Sequence, residues 1–268
     1  MPFASLQSSP LVPGVTPVNI YYRDEGQGLP LVLLHGGWGY GLNPFDLQIE
    51  QLRSSFRVIC PDRSGYGRSN RPVPFPPDFH YRAADETLKL LDSLGIGRAF
   101  LWGHSDGAVI AAIIGFRAPG RVRGLILEAF HFYRTKPGSR EFFEMLVLQP
   151  ENLGEDLRRK FALELGAAEW RRLITDHAKV WLEIALESAH PQDDLYYGKL
   201  HEVVAPTLII HGQLDPRTEP EELAAVSTHL PHAEMQILDG AGHSPHSEPA
   251  FGDIATRLAR EFLMRHKT

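Results

Sequence analysis

Short apolar runs, separated by stretches of helical spacing, organise most of this chain. Leu31 to His35, residues 56–60 and Ala99-Phe100-Leu101-Trp102 are nearly continuous apolar runs of strand length, the pattern of strands buried on both faces. Between them the period changes. A loop and helix run to about Leu52, and a helix over roughly Tyr81 to Leu94 carries Leu88, Leu90, Leu91 and Leu94 on its apolar side. The alanine- and isoleucine-rich segment Ala108 to Gly115 reads as another helix, and Val122 to Phe130 as the next strand. Ahead of these, Met1 to Pro17 is rich in Pro and Ser and reads as an irregular or weakly paired arm. Val18 to Arg23 reads as an edge strand, Glu25-Gly26-Gln27-Gly28 as a turn, and 71–78 as a proline-rich loop. Strands alternating with helices predict an α/β fold with a mostly parallel central sheet covered by helices on both faces.

The alternation stops at about His131 and resumes only at Thr207. The interval carries helical stretches at Arg140–Leu148, Glu155–Leu165 and Ala168–Glu187, with no strong strand signal. The expected organisation is a core over 1–131, an all-helical insertion over 132–200, and the rest of the core over 201–268.

The strand ending at Trp102 leads into Gly103-His104-Ser105-Asp106-Gly107, and a helix follows directly. A serine with glycine two residues to either side, at a strand-to-helix turn, is a nucleophile elbow pattern. The turn is so tight that a Cβ at either glycine would strike the neighbouring strand or helix. The serine hydroxyl is then held out at the carboxyl end of the sheet, near a helix N-terminus that favours developing negative charge.

Two later loops carry the partners such a serine requires. Thr207 to Ile210 is a run of four apolar or β-branched residues ending in a polar loop with Asp215, and Ile237-Leu238 leads into a glycine-rich loop with His243. The order Ser105, Asp215, His243 differs from that of chymotrypsin-like and subtilisin-like enzymes. On these residues the chain resembles the α/β-hydrolase superfamily, from about Asn19 to the C-terminal helix. The resemblance implies a helical cap between the sixth and seventh core strands, and a Ser-His-Asp triad made of Ser105, His243 and Asp215. It also implies that the loop His35-Gly36-Gly37-Trp38-Gly39 supplies an oxyanion hole from the N–H of Gly37, completed by the N–H of Asp106. Each such donor typically contributes about 2.7–4 kcal/mol of transition-state stabilisation. Asp62-Arg63-Ser64-Gly65-Tyr66-Gly67-Arg68-Ser69 is similar to the superfamily's loop after the preceding strand, and is expected to shape the cavity floor. Glu128, at the end of the sixth strand, is an alternative position for the triad acid, and Asp239, read at a strand end, a weaker one.

Composition narrows the classes without choosing among them. With 268 residues and 43% hydrophobic content, a sizeable core is affordable, burying about three-quarters of the unfolded surface. A formal charge of −6 gives no basic footprint for nucleic acid. The one cysteine, Cys60, excludes an internal disulfide and reads as a buried thiol. The start has no charged segment followed by an apolar stretch, and no window approaches about 18 apolar residues, so neither signal peptide nor membrane span is expected and the cytoplasm is the default. Thirteen histidines raise the question of a metal. His35 reads as a brace for its loop, His104 as the variable residue of the elbow, and His211 as a strand end. His232, His243 and His246 lack ligand spacing, so no metal and no cofactor are expected.

The expected activity is two-step hydrolysis of carboxylic esters of small or medium acyl substrates. His243 takes the Ser105 proton as the hydroxyl attacks, Asp215 holds the imidazole, and His243 then activates water. Trp38, Phe130, Phe132, Tyr133, Phe142, Phe143, Trp181 and Leu182 are the candidate pocket residues. A lactonase, an amino-acid-ester hydrolase or a carbon–carbon bond hydrolase of the meta-cleavage type would use the same triad. A receptor-like binder with little turnover is the reading from another class. Dehalogenase and epoxide-hydrolase branches place an aspartate where this chain has Ser105, which disfavours them.

Overall fold

In the computed structural model, which describes residues 2–70, 74–167 and 169–267, eight strands form one sheet. They are β1 Phe3–Leu6, β2 Val18–Glu25, β3 Leu29–Leu34, β4 Phe56–Pro61, β5 Ala99–His104, β6 Val122–Glu128, β7 Thr207–Gly212 and β8 Glu234–Leu238. The spatial order is β1-β2-β4-β3-β5-β6-β7-β8. β1 pairs antiparallel with β2 and β2 with β4; every pairing from β4 to β8 is parallel. Parallel strands place their carboxyl ends on one edge of the sheet, and such an edge is where open α/β sheets bind ligands. Ser105, Asp215 and His243 follow the carboxyl ends of β5, β7 and β8, so the topology alone gathers them on one rim.

Helices α1 (Asp46–Leu52) and α8 (Gly252–Arg265) pack together against one face of the sheet, where Phe45, Ile49, Phe100, Trp102, Ile126 and Phe262 share an apolar cluster. On the other face lie α2 (Phe79–Ser93) and α3 (Asp106–Arg117). α3 is buried from Asp106 to Phe116, which is why its sequence is apolar all round rather than striped. The helical insert between β6 and β7 consists of α4 (Pro137–Leu148), α5 (Glu155–Leu165) and α6 (Glu169–Leu186); α7 (Pro220–His229) follows β7. Within the insert, Phe143 stacks on Trp181 with ring centres 5.9 Å apart, and Phe161 stacks on Trp170 at 6.3 Å.

The amino-terminal arm departs from its expected form. Phe3–Leu6 is a strand, with Ala4 and Leu6 buried and Phe3 and Ser5 outward, so β2 is not an edge. Four residues are too few for an alternating pattern to stand out among Pro and Ser. The strand expected over Val122 to Phe130 stops at Glu128, because Ala129 takes a left-handed backbone (φ 51°) that breaks extended pairing. The third insert helix begins at Glu169; Ala168, expected as its start, and residues 71–73 of the proline-rich loop lie outside the described residues. Among the described residues no helix is long and apolar enough to cross a membrane.

Candidate active site

The elbow has the steric character its spacing requires. Ser105 sits at φ 55°, in the left-handed region that non-glycine residues rarely adopt. A Cβ at Gly103 would lie 2.1 Å from the Gly107 carbonyl oxygen, and one at Gly107 would lie 2.0 Å from the Leu34 carbonyl oxygen. The strained turn is tied down on both sides. Ser105 N–H donates to Glu128 O at 2.8 Å, and Ser105 O accepts the first helical bonds from Ala108 and Val109.

Ser105 Oγ lies 3.1 Å from His243 Nε2, and His243 Nδ1 lies 2.9 Å from both carboxylate oxygens of Asp215. The Asp215 carboxylate also accepts from Arg217 N–H at 2.8 Å and from Thr218 Oγ1 at 3.2 Å. Burial by itself would raise the Asp215 carboxyl, but the adjacent His243 imidazole and the Arg217 N–H outweigh it and hold the group well below the usual carboxylate range. An ionised carboxylate on Nδ1 requires the hydrogen on that nitrogen, leaving Nε2 free to accept from a hydroxyl.

The glycine-rich loop after β3 passes close to the serine, for a Cβ at Gly36 would lie 3.2 Å from Ser105 Cβ. His35 braces this loop as expected: its Nδ1 lies 2.7 Å from Gly36 O and its Nε2 accepts from Arg63 N–H. The Arg63 guanidinium donates to the carbonyls of His35 and Gly36. The loop Asp62–Ser69 therefore supports the glycine loop from behind and does not form the floor of the serine cavity. Its Asp62, Gly67 and Arg68 border a separate cleft instead.

The Asp106 side chain points into the protein rather than into the cavity. His80 Nε2 on α2 donates to its Oδ1 at 3.0 Å, and His177 Nε2 on α6 donates to its Oδ2 at 2.7 Å. Burial favours the protonated carboxyl, yet the two imidazoles outweigh it and hold Asp106 well below its ordinary value. One carboxylate thus ties the insert to the core directly beneath Gly37, where a Cβ would lie 2.0 Å from His177 Nε2.

A cavity of about 340 Å³ opens onto Ser105 and His243 between core and insert. Trp38, Phe142, Phe143 and Trp181 line it, together with Gly37, His131, Lys136, Lys160, His177 and Arg217.

A sequence profile described as "Alpha/beta hydrolase family" matches residues 31–252. The chain belongs to the alpha/beta hydrolase family. It is 26% identical over 253 residues to "Serine hydrolase BPHL" of Mus musculus, covering 93% of this chain and 84% of the relative. It is 28% identical over 266 residues to the "Pimeloyl-[acyl-carrier protein] methyl ester esterase" of Yersinia enterocolitica, covering 90% and 98%. Among solved structures, a thermophilic esterase from Thermogutta terrifontis superposes with a TM-score of 0.73 at 24% identity over the full length of both chains, which establishes the shared fold.

Several residues expected in the pocket of this alpha/beta hydrolase sit elsewhere. Phe130 stacks flat on Tyr196 (5.4 Å), Phe132 packs against Tyr196 and His229, and Tyr133 packs edge-on against Phe132 and bridges to Asp194. Leu182, next to Trp181, is only partly buried and packs against the main apolar core that the insert shares with the sheet. The left-handed turn at Ala129 re-aims the chain after β6, so His131 faces the serine in place of Phe130. Glu128, considered as an alternative acid, is fully buried and committed elsewhere. It accepts from Trp102 Nε1 at 2.9 Å, from His246 N–H at 2.9 Å, and pairs with His246 Nδ1 at 2.8 Å. Asp239 is exposed in the turn beyond β8. Among the described residues no group of three His, Cys, Asp or Glu side chains is arranged to hold a metal ion.

Among the residues that sequence reasoning missed, His131 stands nearest the serine. Its Nε2 lies 3.2 Å from Ser105 Oγ, and its ring lies nearly parallel to that of His243, 5.7 Å away. Lys136 Nζ stands 3.2 Å from His131 Nδ1 and forms a buried ion pair with Glu222. An ammonium only donates, so Nδ1 is the acceptor and the ring hydrogen belongs on Nε2, facing the serine oxygen. Burial, and then the charge of Lys136, push the His131 pKa well below the usual imidazole value, which keeps the ring neutral. Glu222 also accepts the backbone N–H groups of Phe132, Tyr133 and Glu219, and so fixes the whole arm that carries His131. His177 left a faint signal in the sequence: it lies four residues before Trp181, on the buried stripe of α6.

Proposed function

We propose that the protein is a serine carboxylic-ester hydrolase acting on small or medium acyl substrates. The observation that carries this reading is the continuous relay from Ser105 Oγ to His243 Nε2 and from His243 Nδ1 to Asp215. In this mechanism the Ser105 hydroxyl attacks the ester carbonyl while its proton passes to His243, and Asp215 stabilises the imidazolium. The oxyanion is held by the N–H of Gly37 and by that of Asp106, the first residue of α3, whose N–H has no acceptor within the helix. The proton then moves from His243 to the departing alkoxide, leaving an acyl-Ser105. Water activated by His243 releases the acid. Residues 132–200 act as a cap that excludes bulk water from the reacting centre. The likeness to a methyl ester esterase supports ester over other acyl substrates.

The test is the initial rate on p-nitrophenyl esters of increasing acyl length, with Ser105→Ala beside the wild type. The reading predicts turnover by the wild type and a loss of about three or more orders of magnitude in the variant. Equal rates in the two proteins would remove Ser105 from the mechanism. An inert wild type would redirect the search to carbon–carbon bond substrates or to ligand binding.

A further inference from the structure

We propose that the cavity is built for an ester that carries a carboxylate on the part remote from the scissile bond, held between Arg217 of the core and Lys160 of the insert. This deepens the esterase reading and rests on it for the identity of the reacting group. The chain as a whole is acidic, with a formal charge of −6, yet among the described residues the lining of this cavity includes three cationic side chains, Lys136, Lys160 and Arg217, and no carboxylate. The two acids nearest the reacting centre are turned away and fully engaged: Asp215 with His243, and Asp106 with His80 and His177.

The three cations are not equivalent. Lys136 is neutralised by Glu222 and is occupied with His131, so it is not available to a ligand. Lys160 and Arg217 have no ion-pair partner among the described residues. Arg217 is half-buried, and its guanidinium lies against the face of the cavity residue Phe142, 3.4 Å from the ring centre. A guanidinium stacked over a ring carries its N–H donors at its edge, and a planar fork of such donors matches a carboxylate. Lys160 approaches from α5, on the insert. Lys160 is exposed and Arg217 half-buried, and these two cations of the cavity lie one on the insert and one on the core. The aromatic wall of Trp38, Phe142, Phe143 and Trp181 takes the apolar chain between the two ends.

Calorimetric titration of the Ser105→Ala protein tests the subsite without turnover, using monomethyl glutarate and methyl pentanoate, which match in length and differ in the terminal charge. The anionic ester is expected to bind at least about tenfold more tightly, as one charge-assisted contact of this kind provides. That advantage should fall to within about twofold in Arg217→Gln/Lys160→Gln, and should shrink in concentrated salt. A control substitution of the exposed Arg140 should leave the preference in place. Equal binding of the two esters, or a preference that survives the double substitution, would overturn the proposal. Because binding is measured in a protein lacking the serine hydroxyl, this outcome is separable from the p-nitrophenyl ester assay, which judges the esterase reading by itself.

Discussion

His131 Nε2 and His243 Nε2 both reach Ser105 Oγ, at 3.2 and 3.1 Å, and the two nitrogens have opposite roles. His243, with its other nitrogen on Asp215, offers a lone pair. His131, with its other nitrogen facing the Lys136 ammonium, offers a hydrogen. The serine oxygen is therefore fixed by a donor on one lone pair and points its own hydrogen at the base. Replacing His131 by Phe removes the donor, and kcat on a p-nitrophenyl ester is expected to fall about 10–100-fold with little change in KM. His131→Gln, whose amide can still donate, should recover part of that loss. Equal rates for wild type and His131→Phe would show that the second imidazole is only a wall of the cavity.

Asp215 and Glu128 are both buried acids bonded to histidines, but only Asp215 is bonded to a histidine that reaches Ser105, and His246, the partner of Glu128, does not contact it. Asp215→Asn is expected to cost on the order of 10⁴ in kcat while leaving the protein folded, because the imidazole loses its required tautomer. Glu128→Gln should do the reverse. It weakens a buried pair with His246 and is expected to lower stability by about 1–3 kcal/mol, with kcat changed less than about tenfold. Thermal unfolding and steady-state rates on both variants separate the roles.

Gly107 faces backbone rather than a mobile side chain. Its added Cβ would meet the Leu34 carbonyl oxygen at 2.0 Å, so Gly107→Ala forces β3 and α3 apart. Insoluble or unfolded protein is the expected result, read by circular dichroism and expression level. A folded, active Gly107→Ala protein would mean that the elbow tolerates a wider turn than its geometry allows.

Five buried histidines, His35, His80, His104, His131 and His211, have lowered pKa values, in each case chiefly through burial; for His104 the value is about 3. In the unfolded chain they take up protons near pH 6.5, so below about that pH the unfolded state binds more protons than the folded one. Stability then falls with falling pH, by up to about 1.4 kcal/mol per pH unit for each histidine that stays neutral. The melting temperature should drop between pH 7 and pH 5. An unchanged value would show that these rings protonate within the folded protein.

What could be read from the sequence was whatever short-range sterics or chain order controls. Gly103 declares the elbow because the clash it avoids, with the Gly107 carbonyl, lies within the turn itself, and Ser105, Asp215 and His243 follow strands that topology brings to one rim. The residues that were missed depend on contacts formed only when distant segments dock. Glu222 lies 86 residues beyond the Lys136 it holds, and His177 reaches Asp106 across 71 residues. Phe130 and Phe132 were misplaced for a different reason: the left-handed Ala129 resets which side chain faces the rim, and nothing in an alanine announces that.

The central claim, that Ser105 is the nucleophile activated by His243, is tested most directly by trapping. Incubation with diethyl p-nitrophenyl phosphate followed by intact-mass and peptide analysis should show a single diethylphosphoryl adduct on Ser105. The adduct should be lost in Ser105→Ala and should form far more slowly in His243→Ala. An adduct on another residue, or none under conditions where the wild type hydrolyses esters, would contradict the assignment.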